Sequence, residues 1–471
     1  MTEATSARHT ADEPAADTHT SLPVEAGREA WRRNLLFIWI GVFVGLLGAN
    51  FVFPFIPFFL KDELGVADNR VSYYTGLTAS VTGLSLTLTA PLWGSLADRY
   101  GRKPMFLRAL LGAGLLILLM GLVQAVWQLV ALRFAMGAFA GTMGAAAALV
   151  AATTPRERVG YALGTLQTGV FAANMLGPFI GGVVAAQLGL RESFFFCGAL
   201  YLIACALVFF FVKENDGADG ATPSQGRDGA DGASPSHGRE RGGGLVANLR
   251  VVVAERQILV MLGLLYCLWL STTFVRPVMP ISIDDFAGAN QLVELQTPFG
   301  TWDLREETAT GIVFGVIGLT STIAAISIAP LGQRFGYRNI VVLAAAMTGA
   351  LYIPVYFASS LWPFCVLLGA VGLFQGAMVP GTNALIAAST PEGKQGSAFG
   401  LASSMQSLAL LTGPLAGGAV AGVLGIEAVY AVIGFILLGA AVFGFLAIRE
   451  PEVFARPAVS PSSAKSSEPG A

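Results

Sequence analysis

The chain has 471 residues, 54% of them hydrophobic and only 12% charged, with a formal net charge of −2 and a mean hydropathy of +0.65. That balance excludes a water-soluble globular protein and points to an all-α integral membrane protein. The near-neutral total says nothing about partners, because in such a chain the sign of charge is set loop by loop.

Apolar runs of 20 or more residues are long enough to cross a hydrocarbon core of ~30 Å as helices, the form in which a segment satisfies its own backbone polar groups. Twelve such runs occur. Residues 1–33 are polar, lack the apolar core of a cleavable signal peptide, and are expected to be a disordered tail. Span 1, 34–60, carries "LGANFVFPFIP" (47–57), with Asn50 its one polar side chain. Span 2, 72–96, runs into "GSLADRYGRKP" (94–104), where Asp98, Arg99, Arg102 and Lys103 crowd together after Gly94 and Gly101 permits a tight turn. Spans 3 and 4 follow at 104–124 and 128–151. Arg133, in "RFAMGAFAG", is the one basic residue well inside a span. Span 5, 162–187, holds "ANMLGPFIGG" (173–182), in which Gly177, Gly181 and Gly182 allow close helix contact and Pro178 a bend. Span 6 covers 193–212.

Residues 213–256 contain a tandem repeat, "DGADGATPSQGR" then "DGADGASPSHGR", followed by "GGG", the composition of a flexible linker. The second six spans are expected at 257–283, 309–331, 338–358, 363–388, 397–422 and 428–448, ahead of a disordered tail at 449–471. Their sequence echoes the first half. "APLGQRFGYRN" (329–339) is a faded copy of 94–104 with Gln333 in place of the acid; Gly372 and Gly376 repeat Gly137 and Gly141 at an offset of 235. "LTGPLAGG" (411–418) repeats "LLGPFIGG", and "RPVMP" (276–280) answers "FPFIP" (53–57) at an offset of 223, the difference being absorbed by a longer loop after span 7. A chain duplicated in this way reads as two pseudo-symmetric six-helix bundles, 34–212 and 257–448, around a central site.

Of the 28 Lys and Arg residues, 22 fall on one side of this layout; Lys61, Arg70, Arg191, Arg276 and Arg305 fall on the other, and Arg133 lies within a span. Both termini and the linker are therefore expected to be cytoplasmic. The four cysteines, Cys197, Cys205, Cys267 and Cys365, lie in spans and are expected to be free thiols.

The duplicated plan, the G-x-x-x-D-R-x-G-R-K element at 94–103, Arg133 with its following glycines and the span-5 motif resemble the major facilitator superfamily, specifically its twelve-span drug:proton antiporters. The resemblance covers roughly 31–449 and implies the fold of that superfamily. It further implies a cytoplasmic latch at Gly94, Asp98, Arg99, Gly101, Arg102 and Lys103, proton coupling at Arg133 and Asp98, and a hinge in span 5. Physically, Asp98 is placed to face the positive N-terminal end of span 11 near Gly396, a contact worth up to ~2 kcal/mol. A plain positive anchor is the competing reading of Arg102 and Lys103, and snorkelling to the outer surface that of Arg133.

Candidate cavity residues are Asn50, Gln167, Phe171, Asn174, Trp269, Phe274, Gln375, Met378, Asn383, Met405 and Gln406, a mixture of apolar surface and neutral hydrogen bonders suited to amphipathic cargo. Interhelical hydrogen bonds or lipid contact are equally open to each of them. No Asp or Glu lies in the middle of a span. The expected function is multidrug export by alternating access across the bacterial inner membrane, driven by protons, with hydrophobic or neutral-to-cationic cargo. An exporter of one endogenous metabolite such as a siderophore, or an uncoupled facilitator, is the alternative. A monomer is expected, with no nucleic-acid partner, cofactor or metal. An enzyme is disfavoured, since the three His lie in polar tails or the linker and no phosphate-binding loop is present.

Overall fold

The computed structural model of the chain describes residues 22–155, 158–213, 256–288, 292–298, 300–390 and 395–448. The repeat-bearing linker and the C-terminal tail lie outside this set. The first six spans are Leu22–Val52, Asp68–Tyr100, Arg102–Met120, a split span 4 of Val126–Phe139 and Thr142–Thr153, Val159–Leu188 and Leu190–Phe211. Spans 7 to 12 are Arg256–Val275, Glu306–Phe335, Tyr337–Val355, Leu361–Ser389, Gln395–Leu424 and Ile426–Ala447. Eleven are long and apolar enough to cross a membrane. The remaining one, span 2, is 33 residues long but rich in Ser and Thr. Its polar groups are spent internally: Thr75, Thr78 and Thr82 each donate to a carbonyl about one turn earlier, at 2.8–2.9 Å, so the helix remains compatible with lipid.

Buried apolar side chains form two separate cores, one drawn from Trp31 to Val212 and one from Ile258 to Ile448. The duplication reappears in their packing. Gly114 and Gly198 place spans 3 and 6 backbone to backbone, and Gly349 and Gly434 do the same for spans 9 and 12. Likewise Gly137 lies against the Thr82 carbonyl and Gly372 against the Ile317 carbonyl. Spans 6 and 7 point toward the linker and define the linker end; the opposite end carries a β-hairpin and is the hairpin end.

Three features depart from the sequence reading. Helix begins at Leu22, inside the segment expected to be disordered. Trp31 is buried there, and Asn34 exchanges hydrogen bonds with the Lys213 backbone at 2.9 and 3.2 Å, tying the start of span 1 to the end of span 6. Span 7 stops at Val275 rather than running through 283, and resumes as a short helix, Met279–Asp284. Span 1 breaks at the matching place, with a 3-10 turn at Phe53–Phe55; each break carries prolines that remove backbone donors. Finally, the loop after span 7 contains an antiparallel hairpin, Leu292–Thr297 with Gly300–Arg305, Leu292 opposite Arg305 and Thr297 opposite Gly300. Val293 is fully buried; the short alternation of Val293 and Leu295 with Trp302 and Leu304 is its signal in the sequence.

Candidate functional site

The bundles meet through glycines near the hairpin end. In span 5 a Cβ at Gly177 would stand 2.9 Å from the Leu47 carbonyl oxygen and one at Gly181 2.8 Å from that of Phe51, so both pack on span 1 of their own bundle. Gly182 faces the other way, against the Glu307 carbonyl and Gly311 of span 8. The repeat copies this division of labour: Gly413 and Gly417 pack on Thr273 and Phe274 of span 7, while Gly418 faces the Ser72 carbonyl and Gly76 of span 2. Each G-P-x-x-G-G motif thus uses its first two glycines inside a bundle and its last across the divide. Backbones in direct contact interlock few side chains and can part without repacking a core.

Charge adds to the closure. Lys61, after span 1, donates to Asp284 of the other bundle at 2.5 Å and lies 3.9 Å from Asp68. A pocket of about 150 Å³ between the bundles is lined by Pro57, Lys61, Asp68, Asp284, Asp285 and Ile426 among others. Burial pushes Asp284 upward, but hydrogen bonds with Glu306 and Lys61 outweigh it and hold the carboxyl below its ordinary value. Desolvation and the neighbouring Asp284 and Glu427 carboxylates raise Asp285. Arg191 pairs with Glu63 at 2.5 Å within the first bundle.

Toward the linker end no glycine contact between the bundles occurs among the described residues. Gly164 and Gly400 have open space where a Cβ would stand. Gln167, Thr168, Ser403 and Gln406 are exposed there, and Thr168 bonds within its own bundle, accepting from Trp39 at 3.0 Å and donating to the Thr165 carbonyl at 2.7 Å. The cavity so formed is roofed by a polar chain. Arg276 Nη2 donates to Asn50 Oδ1, and Asn50 Nδ2 donates to Asn174 Oδ1 at 2.8 Å.

Of the sequence candidates, Asn50 and Asn174 are joined directly, while Gln167, Phe171, Trp269, Asn383, Met405 and Gln406 keep partial or full exposure. Gln375 is partly buried and donates to Ser271 at 3.0 Å, within its own bundle. Phe274 and Met378 belong to the second core, 3% and 0% exposed, so neither lines the cavity; helical periodicity turns both inward. Arg133 is 4% exposed and does not snorkel. Its Nε and Nη2 have no hydrogen-bond partner. In the sequence Arg276 reads as one more outer cation; the signal that marks it is the repeat, which places Arg276 where the first half has Phe53.

At the linker end Gly101 (φ 92°) and Gly336 (φ 81°) make equivalent turns. Lys103 donates to the Phe209 carbonyl at 2.9 Å and Arg338 to the Phe445 carbonyl at 2.6 Å, so in both halves a base satisfies the last turn of the sixth helix. Arg102 reaches the Ala148 carbonyl at 3.5 Å. For Gly94, Asp98 and Arg99 only the helical backbone is among the described features, so the latch falls outside them.

Two six-helix bundles repeated in parallel register find their counterpart among known proteins: the profile of the Major Facilitator Superfamily matches residues 38–302 and 267–467. The chain belongs to this superfamily. The multidrug resistance protein MdtG of Salmonella paratyphi C (strain RKS4594) is 30% identical over 424 residues, covering 89% of this chain and 96% of that protein. Among solved structures, the nucleoside transporter NupG superposes with a TM-score of 0.67 at 11% identity, covering 88% of this chain and 98% of that one. A bacterial homologue of the human lysosomal transporter Spinster, solved inward-facing and unoccupied, gives 0.66 at 13% identity, with 92% and 99% covered. These two likenesses are of fold. As a superfamily member the chain is a multi-pass membrane transporter, and its superfamily is not an enzyme class.

Proposed function

We propose that this transporter exports hydrophobic or amphipathic small molecules from the bacterial cytoplasm across the inner membrane by alternating access, as a monomer, exchanging them for protons. The observation that carries the reading is the pair of symmetric glycine contacts, Gly182 on Gly311 and Gly418 on Gly76, which join the bundles at the hairpin end and have no counterpart at the linker end among the described residues. The distribution of 22 of the 28 basic residues supports a cytoplasmic linker end and cytoplasmic termini. The similarity to MdtG, a multidrug resistance protein, supports drug efflux as the direction and cargo class.

In this scheme, rocking of the bundles parts the glycine faces and the Lys61–Asp284 pair while the linker end closes on the latch around Asp98, with Gly94, Arg99, Gly101, Arg102 and Lys103. Arg133, buried among spans 1 and 4, biases the switch. With no carboxylate in the middle of a span, Asp284, which loses Lys61 on opening, and Glu306, hydrogen-bonded to Asp284, are the proposed carriers of the proton. The test is accumulation of fluorescent amphiphiles by inverted membrane vesicles with and without an imposed pH gradient. Gradient-dependent uptake by the wild type, reduced at least tenfold in Asp98→Asn and Arg133→Ala, is expected. Uptake indifferent to the gradient would overturn proton exchange; no uptake of any amphiphile would overturn export.

A further inference from the structure

Two guanidinium groups stand beside one aromatic ring in the roof of the cavity. The guanidinium carbon of Arg276 lies 5.3 Å from the Phe53 ring centroid and that of Arg133 5.9 Å from it. Arg276 also lies 5.9 Å from the Phe314 ring. Neither arginine forms an ion pair among the described residues, whose salt bridges involve Lys61, Arg191 and Arg305. Arg133, 4% exposed, leaves Nε and Nη2 unpartnered, and Arg276 has Asn50 as its hydrogen-bond partner. Asn174, which accepts from Asn50, is exposed to the cavity.

Positive charge in a membrane interior without a counter-charge is costly, and a protein that needed only a strut between bundles would do better with neutral groups. The repeat illustrates the point, since the position equivalent to Arg276 is the apolar Phe53. The polar candidates around the cavity, Gln167, Asn383 and Gln406, are neutral, so none of them offers a cation a counter-charge. A planar guanidinium fork matches the oxygens of a carboxylate, phosphonate or sulfonate, and an adjacent amide extends that match.

We propose that the cavity roof is an anion-binding site. The acidic head of an amphiphile docks on Arg276 and the Asn174 amide, Arg133 adds a second positive charge, and the apolar body lies against Phe53, which keeps partial exposure. This rests on the export reading only in identifying the occupant as cargo, and it replaces the neutral-to-cationic cargo expected from motifs with an anionic one.

The test uses three probes that share a fluorophore: dansylglycine (anionic), dansylamide (neutral) and dansylcadaverine (cationic), titrated into the purified full-length protein. Dansylglycine is expected to bind about tenfold more tightly than dansylcadaverine, the step expected of one charge-assisted hydrogen bond. Arg276→Gln is expected to lose about tenfold for dansylglycine and less than about twofold for dansylamide, with Arg276→Lys recovering most of the loss. Preference of the wild type for the cation, or equal loss of all three probes in Arg276→Gln, would overturn the site; the wild-type ranking decides even if the variant fails to fold. In energised inverted vesicles, uptake of dansylglycine supports both the site and export. Binding of dansylglycine without uptake of any probe supports the site and overturns export, whereas uptake of dansylcadaverine alone supports export and overturns the site.

Discussion

Lys61 and Asp284 face each other from opposite bundles, so protonation of one carboxyl acts directly on the closure of the hairpin end. Asp284 is held below its ordinary value in the closed form by its bonds with Glu306 and Lys61. Its contribution to closure is therefore complete above the ordinary carboxylate value of ~3.9 and is lost as pH falls through the lowered one. Because both side chains keep some exposure, 37% and 20%, the pair is worth no more than about 1 kcal/mol. Spin labels at the exposed positions Arg70 and Leu292, one on each bundle, are expected to separate on acidification below the carboxylate range. Asp284→Asn should show no such response, and a wild-type distance unchanged down to that range would remove Asp284 from the gate. Asp284 was legible in the sequence only as one of the acids outside the middle of any span. Its partner was not, because Lys61 lies 223 positions earlier and the two meet only when the bundles do.

Among the helices, the G-P-x-x-G-G motifs carry the conformational contacts. A Cβ at Gly182 or Gly418 would strike a backbone carbonyl of the opposite bundle, and overpacking of this kind costs about 1–3 kcal/mol. The cost falls only on the form closed at the hairpin end. Gly182→Ala and Gly418→Ala are each expected to shift the population toward the opposite form by roughly 5- to 150-fold, read as a longer distance between the same labels. An unchanged distance in both variants would show that the contact does not hold the end closed. The motifs were readable from sequence as close-packing helices, since small residues and a proline recur at one spacing. Which glycine faces which neighbour was not readable, because all of them look alike until the helices are placed.

For the molecule as a whole, an anionic cargo links export to the membrane potential. One charge moving through 100 mV is worth about 2.3 kcal/mol, roughly fiftyfold in concentration, and an inside-negative cell drives anions outward. Inverted vesicles clamped with valinomycin and potassium at zero pH gradient are expected to take up dansylglycine more strongly as their interior is made more positive. Uptake insensitive to that potential would place the whole driving force on the pH gradient. An anion driven in this way also reconciles transport with spans that lack a mid-membrane acid.

Length, hydropathy and the repeated landmarks determined by themselves that this protein has twelve spans in two related halves, because lipid admits few backbone solutions and a duplicated register survives in the linear order. They also singled out Asn50, Asn174 and Arg133. Only the tertiary structure decided that Met378 and Phe274 belong to a core, that a hairpin caps one end, and that Arg276 leaves the surface to join Asn50 beside Phe53. Those outcomes depend on which faces of distant helices meet across the pseudo-twofold axis, and the chain order of a helix does not state its rotation about its own axis.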